Sequence, residues 1–130
     1  MTAHPIYGVK KIYRSVRAAL FGIRKAYAED ESFRLEINWG LPIYVLVAFF
    51  LWPFALVEWI FFVGSYLAIL RAELVNTGIE FSLNHLHPDR HERIGAAKDA
   101  SAGAVLLEFV FAAFVILLLF LRRHFDLPLF

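Results

Sequence analysis

Apolar positions run almost unbroken through three stretches of the chain, and a fourth stretch alternates at helical spacing. Residues 37–52, INWGLPIYVLVAFFLW, form the first run. At about 16 residues it is short against the ~20 that a bilayer span needs. Pro42 stands near its beginning and Pro53 just beyond it, which predicts a helix bounded at both ends. Trp39 and Trp52 take the positions of interfacial aromatics. The second run covers about 55–83, and Gly64 and Ser65 within it allow close helix contact. The third, 102–121, is a full-length span with one acid, Glu108, which is expected to face the protein interior. Between the first two runs lies a tight return, PFALVEW, free of Lys and Arg.

The stretch 7–28 reads differently. Ile12, Val16, Ala19, Leu20 and Ile23 recur on one side of a helix, and Lys10, Lys11, Arg14, Arg17, Arg24 and Lys25 lie on another. This predicts an amphipathic helix in the membrane interface, its basic face toward anionic headgroups. Because the basic run leads directly into apolar spans, no nucleic-acid partner is expected. The predicted architecture is an all-α membrane protein: three transmembrane helices after an interfacial helix, forming one domain over residues 1–130. Composition agrees. The chain is 60% hydrophobic with a mean hydropathy of +0.61, above the roughly 45–50% apolar content of soluble domains. There is no cysteine, which excludes a disulfide framework, a zinc–thiolate site and a cysteine nucleophile. The polar start lacks the apolar core and small-residue site of a signal peptide, so none is expected.

Net charge, +1, decides nothing; its distribution sets the topology. Lys and Arg crowd the segment before the first span, are missing from the first connection, and return as Arg90, Arg93 and Lys98 in the second. The positive-inside rule then places the N-terminus and an 84–101 loop in the cytoplasm and the C-terminus outside, against the weaker vote of Arg122 and Arg123. That loop, NHLHPDRHERIGAAKDAS, reads as the one long polar connection, ended by Gly95, with Lys98 and Asp99 opening the third helix. His85, His87 and His91 share it, but Pro88 interrupts any helix between them, so no dedicated histidine metal site is expected.

The chemistry concentrates in the second span. Glu73, Asn76 and Glu80 of LRAELVNTGIE fall within about 60° of one another on a helix. Ionisable groups inside a span usually face a partner, a cavity or a substrate. Arg71 lies on a different face, where it can pair with an acid or snorkel. The 29–36 segment, EDESFRLE, puts acids at the next helix N-terminus, where Glu29 and Glu31 complement the helix dipole. With the predicted topology, these acids, the Glu73–Glu80 stripe and Lys98–Asp99 converge on the cytoplasmic interface. Carboxylates for a cation and a lysine for phosphate suit a magnesium nucleotide. No GxxxxGK[ST], GxGxxG or HRD motif is present. On these residues alone, a kinase, a small oligomeric transporter or channel subunit, and a structural protein whose stripe joins helices all stay open.

The stretch ELVNTGIE, 73–80, resembles the E-x-x-N-[ST]-[AG]-I-E signature of the prokaryotic diacylglycerol kinase family. HPDRHERIGAAKDASAGAVLL, ESFRLE and GIRKAY are similar to that family's AKD, AFRxE and GLRAAW segments, in the same order over roughly residues 8–121. The resemblance implies a homotrimeric lipid kinase of the bacterial cytoplasmic (inner) membrane, with sites shared between chains. It moves the γ-phosphoryl group of ATP, with Mg²⁺, to diacylglycerol. Undecaprenol kinases are relatives and give the alternative acceptor. By motif, Glu73 matches the proton-accepting glutamate, and Asp30 and Glu80 match the metal-binding acids. Lys98, Asp99, Asp89, His91 and Lys11 match nucleotide-binding positions. Phe33, Arg34, Glu36, Asn76 and Ala102 match positions at the lipid. Three departures stand out: Asp30 where the family has Glu, Asn84 where it has an acid, and Arg71 where it has an apolar residue.

Overall fold

The computed structural model describes residues 5–86 and 91–125, with side chains from Gly8 onward. It contains four helices in chain order: α1 (Pro5–Glu29), α2 (Glu31–Leu51), α3 (Leu56–Leu86) and α4 (Glu92–Phe125). There is no strand among the described residues. The last three helices are long and apolar enough to cross a membrane. α3 is the central one and packs along most of its length against α4.

A single residue separates α1 from α2. Asp30 is extended (φ −98°, ψ 122°), and its Oδ1 accepts the Phe33 N–H at 2.7 Å, which caps α2. Arg34 reaches back and donates to the Tyr27 and Ala28 carbonyls at 3.2 and 3.0 Å, covering the unpaired end of α1. α2 thus begins six residues ahead of the expected 37, and Pro42 lies inside it. Proline has no N–H to give to the preceding turn. The chain accommodates it with one wide π turn over Glu36–Gly40, in which the Leu41 N–H reaches the Glu36 carbonyl.

Four residues, 52–55, join α2 to α3. The Ala55 N–H donates to Glu58 at 2.7 Å, so Glu58 folds back over the start of its own helix. Its buried carboxylate also pairs with Arg122 of α4. Beneath this clasp lies the apolar core: Leu51, Phe62, Val115 and Leu119, with the rings of Phe54 and Trp59 tilted at 40° and 4.7 Å between centres.

The predicted 84–101 loop is largely helical. Residues 84–86 finish α3, and α4 has already begun at Glu92. Glu92, Ala96 and Ala97 favour a helical start, and the His91 ring accepts the Arg93 N–H at 3.3 Å. Gly95 does not end a loop but sits in the first turn of α4, and no glycine of the described residues has positive φ. Lys98 and Asp99 come one turn later still. α1, α3 and α4 overlap the stretches 7–28, 55–83 and 102–121 and run beyond them at their polar ends.

Candidate functional site

α3 carries its polar residues on the side facing the other helices. Glu73, Asn76 and Thr77 are buried and Glu80 is half-buried. Thr77 donates to the Glu73 carbonyl at 2.9 Å, so its hydroxyl is satisfied within the helix. The carboxylates of Asp30, Glu36 and Glu80 lie within electrostatic range of Glu73. The fold therefore gathers four acids from α2, its N-cap and α3.

Asn76 couples this cluster to α4. Its Nδ2 donates to Glu80 at 3.3 Å, and its Oδ1 accepts the Ser101 hydroxyl at 2.5 Å. Ser101 also lies 2.9 Å from the Lys98 carbonyl. Lys98 Nζ donates to Asn84 at 2.5 Å. Asn84, the departure from the family's acid, accepts from the lysine as a neutral oxygen. A cavity of about 250 Å³ opens beside the network, lined by Asn76, Ser101, Arg71 and Glu108. Arg71 meets Glu108 there at 3.5 Å, which answers what an arginine does in this span.

Not every expected residue joins the cluster. Lys11 lies about 28 Å of helix away from Asp30 and is exposed, so one chain does not bring it to Glu73. His91, Asp99 and Ala102 are exposed on or beside the early turns of α4. Phe33 is buried, and Nη1 of Arg34 donates to α1. Asp89 lies outside the described residues. Sequence reasoning missed Ser101, Tyr66, whose hydroxyl donates to the Glu36 carbonyl at 3.0 Å, and the Glu58–Arg122 pair. The one available signal was Glu58, three residues after Ala55, which precedes the helix, a capping position.

A second polar cavity, about 350 Å³ and lined by Glu58, Arg122 and Arg123, lies at the other end of α3. About 22 Å of helix separates Glu58 from Glu73, so the two are independent. Among the described residues no three His, Asp or Glu side chains are placed to hold a metal by themselves. Asp30 and Glu80 offer hard oxygen donors of the kind Mg²⁺ takes together with phosphate oxygens, and the cap engages only one oxygen of Asp30.

Comparison with known proteins gives a consistent picture. The family model "Prokaryotic diacylglycerol kinase" matches residues 17–120. The chain is 28% identical to diacylglycerol kinase of Haemophilus influenzae over 100 residues, 77% of this chain and 83% of that one. It is 35% identical to undecaprenol kinase of Bacillus subtilis over 79 residues, 61% and 64% of the two chains. With diacylglycerol kinase of Escherichia coli (strain K12), identity is 25% over 106 residues, 81% and 84%.

Proposed function

The chain belongs to the prokaryotic diacylglycerol kinase family, and from that premise we propose that it is a kinase that uses ATP to phosphorylate diacylglycerol, giving phosphatidic acid. The observation that carries this reading is the buried Glu73, within electrostatic range of Asp30, Glu36 and Glu80, on a helix long and apolar enough to cross a membrane. The acceptor hydroxyl oxygen attacks the γ-phosphorus, the bond to the β-phosphate oxygen breaks, and ADP leaves. Glu73 takes the hydroxyl proton. Phosphoryl transfer asks little covalent chemistry of the protein, so positioning and charge neutralisation dominate.

In this reading Asp30 and Glu80 hold Mg²⁺, which supplies charge neutralisation at the phosphates. Lys98, Asp99, Asp89 and His91 bind the nucleotide, and Lys98 approaches the phosphates from Asn84. Phe33, Arg34, Glu36, Asn76 and Ala102 border the acceptor. Lys11, far from the acids of its own chain, fits a homotrimer in which a neighbour's α1 completes the site. The Lys/Arg distribution orients the N-terminus and the α3–α4 connection to the cytoplasm and the C-terminus outside, in a single domain.

Undecaprenol is the second acceptor to test, because identity is higher to the undecaprenol kinase than to the two diacylglycerol kinases, over a shorter stretch. The test is transfer of labelled phosphate from MgATP to each lipid in mixed micelles, beside a Glu73→Gln control. Transfer to diacylglycerol, lost in the control, is expected. Transfer to undecaprenol alone would reassign the acceptor. No transfer from folded, oligomeric protein would overturn the proposal.

A further inference from the structure

Glu36 is held by more contacts than its place on a mostly exposed helix requires. Its carbonyl accepts two donors: the Leu41 N–H, which closes the π turn, and the Tyr66 hydroxyl at 3.0 Å. Tyr66 is buried on α3, thirty residues away in sequence. It lies two turns before Glu73, within about 20° of the same face and roughly 10 Å along the axis. Glu36 thus docks on the face of α3 that carries Glu73, and its carboxylate lies within electrostatic range of that residue.

The side chain of Glu36 is shaped by a second device. It lies across Gly40, one wide turn further on. A Cβ on Gly40 would collide with the Glu36 carboxyl group, whose Cδ lies 2.6 Å from that position. The atoms in the way are the end of a flexible side chain, not backbone. An alanine there would therefore push the carboxylate aside and leave the helix in place. Glycine costs helix stability, and here its lack of a side chain makes the room that Glu36 occupies. Tyr44, which shares a hydrogen bond with Ser65 at 3.2 Å on the same α2–α3 seam, packs against Tyr66 at 4.7 Å between ring centres and lies within electrostatic range of Glu36, but makes no hydrogen bond to it.

We infer that Tyr66 and Gly40 are positioning residues: together they hold Glu36 on the face of α3 that carries Glu73, with its carboxylate seated across Gly40, to receive the polar group of the acceptor lipid. Tyr66 fixes the backbone of the wide turn, and Gly40 gives the side chain its seat. The inference rests on the acceptor-binding role proposed above for Glu36. It adds how this chain presents that residue, and it predicts that affinity for the lipid depends on two residues that need not touch it.

The test is steady-state kinetics of the intact enzyme in mixed micelles, varying lipid and MgATP separately, for Glu36→Gln, Tyr66→Phe, Gly40→Ala and Tyr44→Phe. Tyr66→Phe and Gly40→Ala are each expected to raise KM for the lipid about tenfold, as small displacements of a binding group do, with KM for MgATP unchanged. Tyr66→Phe in a Glu36→Gln background is expected to add nothing. Tyr44→Phe removes a hydroxyl from the same seam and is expected to leave both KM values at wild type. A normal lipid KM in both Tyr66→Phe and Gly40→Ala, while Glu36→Gln raises it, would overturn the inference and leave the function standing. A full additive effect of Tyr66→Phe on Glu36→Gln, or an equal rise in Tyr44→Phe, would overturn it too by showing a general effect of the seam. A normal lipid KM in Glu36→Gln would remove the acceptor role of Glu36 and the inference with it.

Discussion

The Ser101 hydroxyl donates to the Asn76 carboxamide at 2.5 Å and so ties α4 to the centre of the polar face of α3. Asn76 has its amide nitrogen on Glu80, and Ser101 sits three residues after Lys98. One hydroxyl therefore connects the proposed metal-binding acid with the helical turn that carries the proposed phosphate-binding lysine. Ser101→Ala is expected to release the Asn76 oxygen and loosen Glu80. The Mg²⁺ concentration for half-maximal activity should rise about threefold, on the scale of one hydrogen bond. Titration of activity against free Mg²⁺ at saturating ATP checks it.

Glu73→Gln keeps the shape and hydrogen-bonding capacity of the side chain and removes its basicity. The proposed base role predicts a loss of turnover of about 10²–10⁴-fold, with membrane insertion and oligomeric state unchanged. Assembly in detergent and phosphate transfer, measured on the same sample, separate this outcome from misfolding. Near-native turnover would sink the base assignment.

The clasp at the far end of α3 should affect stability and spare catalysis. Glu58 is buried, and its partner Arg122 is 38% exposed at the side chain. Removing one partner of a fully buried pair costs roughly 3–5 kcal/mol. The exposure of Arg122 reduces this, so Arg122→Met is expected to cost about 1–3 kcal/mol. The specific activity of the folded fraction should match wild type. Denaturant-dependent unfolding in detergent, with activity assayed after refolding, tests both halves.

Arg71 and Glu108 are expected to show the opposite of additivity. Arg71→Leu alone leaves a carboxylate among apolar neighbours without its partner, whereas Arg71→Leu with Glu108→Leu leaves two apolar side chains. The double variant should be more stable than the single one, by about 1 kcal/mol given the 75% exposure of the Arg71 side chain. A thermal-inactivation cycle over the four proteins measures the coupling.

The spans were legible because length and apolar content alone decide whether a segment can cross a bilayer. The stripe Glu73–Asn76–Glu80 was legible because its spacing repeats the helix. Helix ends were read too short for the same reason: α2 and α4 begin among Glu31, Arg34, Glu92 and Lys98, and a polar residue says nothing against a helix once a cap is present. The resemblance places Arg34 at the lipid and says nothing of the hydrogen bonds its Nη1 gives to the α1 carbonyls. Tyr66 and Ser101 could not be read from local pattern. Each meets a partner at least twenty-five residues away, and a tyrosine or serine in an apolar run looks the same whether it reaches a carbonyl or a lipid.

The contacts along α3 have a mechanical meaning. Lipid tails are as apolar as leucine, so apolar packing alone gives a helix in a bilayer little reason to prefer one height over another. Here Glu58, Ser65, Tyr66, Arg71, Asn76 and Asn84 each meet a named partner on a neighbouring element. They work as rungs at fixed heights. A slide of one residue, about 1.5 Å, would stretch all of them together, so α3 behaves as a fixed post. Movement during a catalytic cycle then belongs to the parts hung from that post, and first to α1, whose one buried residue among those described is Ala26.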